Sequence, residues 1–100
     1  MIHVAVISTG DSAGDNLAAK MRQAAQIKGV ELEIKAISAN NIDQLAKTDV
    51  VWLAPNARYE EDRVSKWCTE NKAKYGIIDP LAFSTMNGEL MVDKTVEMAK

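Results

Sequence analysis

The sequence predicts an α/β protein: a four-stranded parallel sheet, doubly wound, with helices on both faces. Two observations carry this. Along its 100 residues, four short apolar runs alternate with four stretches of helical periodicity, an order that calls for parallel strands joined by right-handed crossovers. The runs also differ in pattern. Val50-Val51-Trp52-Leu53-Ala54 is apolar throughout, as a strand covered on both faces must be, which places it centrally. The run Val30 to Ile37 alternates, with Val30, Leu32, Ile34 and Ala36 set against Glu31, Glu33 and Lys35, which places it at or near an edge.

Each element follows in order. Ile2 to Ile7 is mostly β-branched and forms the first strand, ended by the polar stretch Ser8-Thr9-Gly10-Asp11-Ser12. Leu17, Met21 and Ala25 recur at helical spacing from about Gly14 to Lys28, and Gly29 is the expected stop. After the alternating second strand, Ser38 or Asn40 can cap a short helix carrying Ile42 and Leu45. The central run stops at Pro55, and a charged helix is expected from about Arg58 to Lys72, with Val64, Trp67 and Cys68 inward. Its start, Glu60-Glu61-Asp62, suits the helix dipole. Tyr75 to Ile78 is the fourth strand, closed by Asp79-Pro80. A last helix runs from about Glu89 to Ala99, with Leu90, Val92, Val96 and Ala99 along one stripe. No repeat, linker or low-complexity tract interrupts the chain, so residues 1–100 are expected to form a single domain.

Composition narrows the function. At 47% hydrophobic and 26% charged residues, the chain is of globular rather than disordered type. Twelve basic against fourteen acidic residues, a net charge of -2, provide neither the basic footprint of a nucleic-acid binder nor a polybasic patch for an anionic membrane. Cys68 is the only cysteine and His3 the only histidine. A disulfide framework, a cysteine zinc site and a Ser-His-Asp triad therefore lack their usual parts, and neither metal nor cofactor is expected. Cys68, Trp52 and Trp67 read as packing residues, and His3 as structural or surface-facing. The opening Met-Ile-His-Val-Ala-Val-Ile is too short for a signal peptide or a membrane span, so a cytoplasmic chain without direct membrane insertion is expected.

In a doubly wound sheet, ligands bind at the carboxyl ends of the strands where strand order reverses. Three segments are expected to converge there: the turn after the first strand, the Pro55 turn and the loop after Asp79. The first, Ser8-Thr9-Gly10-Asp11-Ser12-Ala13-Gly14-Asp15, is small and hydroxyl-rich and opens a helix whose free N–H groups form an anion site. Asp11 and Asp15 oppose that reading if their carboxylates point inward, and an ordinary strand-to-helix connection uses the same residue types. In the second, Pro55-Asn56-Ala57-Arg58-Tyr59, Arg58 could donate to a phosphate and Asn56 could orient the neighbouring loop. The alternative is a helix start with an exposed arginine and a packed tyrosine. A receiver domain would need an aspartate where Leu53 and Ala54 stand, and a low-molecular-weight phosphatase would need a cysteine and an arginine in the first loop.

The segment Asp49-Val50-Val51-Trp52-Leu53-Ala54-Pro55-Asn56-Ala57-Arg58-Tyr59 is similar to a D-V-V-L-L-G-P-Q-V-R-Y pattern. Ile77-Ile78-Asp79-Pro80-Leu81-Ala82-Phe83, followed by Met86-Asn87-Gly88, is similar to V-I-D-P-x-x-Y-x-x-x-D-G. Both patterns belong to the enzyme IIB component of the lactose/cellobiose class of the phosphoenolpyruvate-dependent sugar phosphotransferase system, which the chain resembles over its whole length.

That resemblance implies a flavodoxin-like topology and a cytoplasmic phosphocarrier. Its donor would be enzyme IIA, and it would serve a sugar bound by the membrane enzyme IIC. The family's acceptor is a cysteine opening a C-x-x-G-x-S-T-S type loop, where a helix N-terminus favours the thiolate. Here Ser8 stands at the acceptor position, Thr9, Gly10, Asp11, Ser12, Ala13, Gly14 and Asp15 form the loop, and Pro55, Asn56, Arg58 and Tyr59 flank it. A serine is hardly ionised near neutral pH, and its phosphoester is a poorer phosphoryl donor than a phosphocysteine. Two readings follow: a IIB-like phosphocarrier, or a non-catalytic IIB-like binding domain that carries no phosphate.

Overall fold

A computed structural model describes residues 1–9 and 12–99, with Ser12 in its backbone alone. The expected loop residues Gly10 and Asp11 and the side chain of Ser12 lie outside the described residues. Four strands, β1 (Ile2–Ser8), β2 (Leu32–Ser38), β3 (Val50–Leu53) and β4 (Lys74–Ile77), form one sheet in the order β2-β1-β3-β4. All three pairings are parallel, with Ser8 opposite Ser38, Ile7 opposite Leu53 and Leu53 opposite Ile77. The helices are α1 (Ser12–Lys28), α2 (Glu61–Asn71), α3 (Pro80–Ser84) and α4 (Gly88–Ala99), with 3-10 segments at Ala39–Gln44 and Pro55–Glu60. The α/β class and the parallel sheet are as the sequence predicts.

The pleat divides the core in two. Val4, Val6, Val50 and Trp52 point to one face, where α1 covers them with Leu17, Ala18, Met21 and Ala25, and α4 with Met91 and Val92. Ala5, Ile7, Val51 and Leu53 point to the other, against Ala39, Ile42 and Leu45 and against Val64 and Cys68 of α2. Each fully buried Val, Leu or Ile contributes on the order of 1.5–3 kcal/mol, so the central strands β1 and β3 anchor both layers. β2 is only partly buried, as its alternation predicts for an edge.

Several boundaries differ from expectation, each for a local reason. α1 starts at Ser12 rather than Gly14, and β1 extends to include Ser8. β2 starts at Leu32, because Val30 is taken up in closing α1, its N–H bonded to the Ala25 carbonyl at 2.9 Å. Ser38 caps the next segment, accepting from the Asn40 N–H at 3.3 Å, but that segment is 3-10 rather than α. The helix expected from Arg58 is divided. Pro55 opens a 3-10 segment, Ala57 departs from helical geometry at φ −113°, and α2 begins only at Glu61.

Where the sequence shows only a connecting segment, Asp79 accepts from the Leu81 N–H at 2.9 Å and Pro80 starts the short helix α3. In α4 the buried residues are Gly88, Met91, Val92 and Thr95, while Leu90 is exposed, so the expected stripe is shifted. The shift follows from how α4 meets α1. Gly88 packs so tightly on the Lys20 backbone that a β-carbon there would overlap the Lys20 carbonyl.

Candidate functional site

The strand ends are aligned by their own hydrogen bonds. The Ala54 N–H donates to the Ile7 carbonyl at 2.8 Å and the Ile78 N–H to the Leu53 carbonyl at 2.9 Å, so β1, β3 and β4 finish side by side. The chain leaves β1 through α1 to reach β2, then returns past β1 to β3. Strand order therefore reverses at β1, and α1 and the Pro55–Glu60 segment depart from neighbouring strand ends over opposite faces. The three segments expected to converge are the ones that follow these strands.

Ser8 closes β1. It shares the parity of Val4 and Val6, so it faces α1, and it is 4% exposed. Gly14, buried in the first turn of α1, lies against it: a β-carbon at residue 14 would overlap the Ser8 hydroxyl and come within 2.9 Å of its Cβ. Thr9 and Asp15 are exposed, and Ala13 is half-buried. Asp15 stands in the first turn of α1, where its charge is favoured by the helix dipole and opposes an incoming anion.

The Pro55 segment presents itself differently. Ala57 is buried in the second core and Asn56 is exposed. The Arg58 side chain is 70% exposed, with its Nε 3.9 Å from a Glu61 carboxylate oxygen. An exposed pair of this length contributes little and leaves the guanidinium mobile in direction. Tyr59 is 68% exposed, so the packed tyrosine of the bland alternative is not found, and Ala57 fills the inner position instead. Glu61 also accepts from the Tyr75 hydroxyl at 3.3 Å. In the third segment the Asp79 carboxylate is engaged in capping α3, and Leu81 is 69% exposed.

The other polar candidates lie elsewhere. His3 sits at the start of β1, with Nδ1 3.2 Å from Glu33 and its backbone N–H bonded to Asp49 at 2.9 Å. Five residues of extended chain put it about 16 Å from Ser8, and the odd spacing puts the two on opposite faces of β1. It cannot serve as a base for that hydroxyl. Cys68 is buried in the second core, and burial pushes its thiol up to about 11, so it is a packing residue at neutral pH.

Among the described residues no group of three His, Cys, Asp or Glu side chains could hold a metal ion. Nor is any helix long and apolar enough to cross a membrane. A groove of about 430 Å³ lies away from the strand ends, between Lys20, Gln23 and Ile27 of α1 and Met86, Asn87 and Glu89 at the start of α4. Met86, Asn87 and Gly88 belong to the second of the two sequence patterns, but nothing in that pattern announces a groove.

Comparison with known proteins bears on this geometry at the level of structure. Neither a protein-family model nor a curated protein matches the sequence. Among solved structures, the lactose-specific IIB component domain of the phosphoenolpyruvate:carbohydrate phosphotransferase system from Streptococcus pneumoniae superposes with a TM-score of 0.87. The match covers 99% of this chain and 98% of that one at 14% identity. The cellobiose-specific phosphotransferase IIB component from Borrelia burgdorferi superposes with a TM-score of 0.74, over 97% of this chain and 90% of that one, at 22% identity. The fold expected from the sequence resemblance is the fold found.

Proposed function

We propose, on the premise that the chain has the fold of lactose- and cellobiose-class IIB components, that it is a IIB-type phosphocarrier of the sugar phosphotransferase system. In this reading it takes a phosphoryl group from enzyme IIA and relays it to a sugar bound by the membrane enzyme IIC, as a single cytoplasmic domain. The observation that supports it is the near-complete superposition on the lactose-specific IIB domain, combined with the place of Ser8 at the end of β1 under the start of α1.

The chemistry assigned to the site is a single displacement. The Ser8 oxygen attacks the phosphorus of a phosphohistidine on IIA, the P–N bond breaks as the P–O bond forms, and the serine proton leaves with the imidazole. The N–H groups at the start of α1 neutralise the transferred group. Thr9 to Asp15 form the loop around it, with Pro55, Asn56, Arg58 and Tyr59 on the neighbouring turn. The resulting phosphoester is the less reactive donor, so onward transfer is the slow step.

Two observations favour a second reading, in which a IIB-like domain engages IIA without accepting phosphate. Ser8 is almost fully buried, and Asp15 brings a negative charge to the helix start. The two readings separate by intact mass after incubation with phosphoenolpyruvate, enzyme I, HPr and a lactose/cellobiose-class IIA, comparing the chain with Ser8→Cys. A phosphoryl gain on the chain itself, mapped to Ser8, supports the carrier. A gain confined to Ser8→Cys supports a scaffold that has lost its nucleophile. No gain on either, with a cysteine-bearing IIB modified alongside, overturns the carrier reading.

A further inference from the structure

Gly14 has no conformational need to be glycine. It lies within the first turn of α1, and among the described glycines only Gly29 has a positive φ. In such a helical position glycine is the poorer choice on propensity, so its presence calls for a packing reason. The reason is visible beneath it, where the Ser8 hydroxyl occupies the space that any other residue's β-carbon would take. The strand end and the helix start approach each other across this one pair, and the result is a side chain at position 8 that is only 4% exposed.

We propose that Gly14 is the positioning residue for the acceptor position: by lacking a β-carbon it lets the first turn of α1 sit directly on residue 8, and so keeps that position covered. The inference rests on the assignment of Ser8 as the acceptor position. A phosphoryl acceptor has to present a lone pair in line with the incoming phosphorus, so residue 8 has to be uncovered before it can receive the group. A methyl group at residue 14 would meet the Ser8 hydroxyl and also the Ser8 Cβ at 2.9 Å; rotation about χ1 moves the hydroxyl but not the Cβ, so the start of α1 has to move off β1 as well. The backbone of β1 is held by pairing on both sides, so the movement falls on the helix start. Residue 14 thereby acts through residue 8 and touches no substrate itself.

The test is thiol labelling, with Cys68 as the internal standard for a buried thiol. Ser8→Cys and the double variant Ser8→Cys/Gly14→Ala are treated with iodoacetamide at neutral pH, and modification is followed at each thiol by peptide mass. With Gly14 present, the thiol introduced at position 8 is expected to react as slowly as Cys68. Adding Gly14→Ala is expected to raise the rate at position 8 by roughly tenfold or more, as easier local opening of the helix start would, while Cys68 stays slow. Three results would overturn the proposal. They are an introduced thiol that is already fast beside Gly14, a rate unchanged by Gly14→Ala, and a rise at Cys68 in parallel with position 8. The last would mean that the methyl is absorbed by unfolding rather than by a local shift of the helix start. Gly14→Ala alone, read by thermal melting, gives a check without the new thiol, and loss of the folded state there counts against the proposal too. A position 8 thiol that opens as expected but takes no phosphoryl group from IIA would contradict the functional reading and leave the role of Gly14 standing.

Discussion

Thr95 and Ser8 are the buried polar residues among those described, and each is explained by a neighbour. Trp52 is buried in the first core, and its indole N–H donates to the Thr95 hydroxyl at 2.7 Å, which in turn donates to the Met91 carbonyl at 2.6 Å. The threonine thus satisfies a donor that the core would otherwise strand. Thr95→Val keeps the shape and removes the acceptor. The cost expected for an unmet buried donor is about 1–3 kcal/mol, seen as a lower urea midpoint with an unchanged slope. A midpoint equal to that of the unsubstituted protein would show that the bond contributes nothing. Ser8 answers to a different neighbour, and the serine's burial is not visible from its own sequence context. Gly14, set just inside a helix where alanine would fold better, is the only residue-level sign of that close approach.

At the scale of elements, the C-terminal ends of helices are where sequence and structure agree most closely. Gly29 follows α1 with φ 70°, and the N–H of Val30 closes the turn on the Ala25 carbonyl. Nothing lies within 4 Å of where a β-carbon would stand. Gly29→Ala therefore tests backbone conformation alone and is expected to cost about 1–2 kcal/mol, with Gly29→Asn costing less because asparagine tolerates the left-handed region. A thermal melt reads both, and equal melting temperatures for all three proteins would contradict the account.

The strands were legible for the same kind of reason: an apolar run must be central and an alternating one must lie at an edge, as β3 and β2 do. The short elements were not. A five-residue helix such as α3 has no period to detect, and whether the turn after Pro55 is 3-10 or α depends on how Ala57 packs into the second core. The inward stripe of α4 also depended on contact, since Gly88 sets how that helix lies on α1.

The whole molecule joins a sheet whose order reverses at β1 to three segments that follow neighbouring strand ends. That convergence could be read in advance, because a βα alternation with right-handed crossovers leaves few other topologies. Which residues stand open there could not, because it depends on how closely helices approach the sheet. Thr9, Asp15, Asn56, Arg58, Tyr59 and Leu81 are exposed at or just beyond the strand ends, while Ser8 and Ala57 are buried. Both functional readings require this end of the molecule to meet enzyme IIA, whether or not phosphate crosses.

The most direct measurement is an NMR titration of the isotopically labelled chain with a lactose/cellobiose-class IIA, following backbone amides. The account predicts saturable shifts concentrated at Thr9, Asp15, Asn56, Arg58, Tyr59 and Leu81, with the groove around Gln23, Ile27 and Glu89 unmoved. Shifts confined to that groove, or none at all with a IIA that binds a cysteine-bearing IIB, would contradict it.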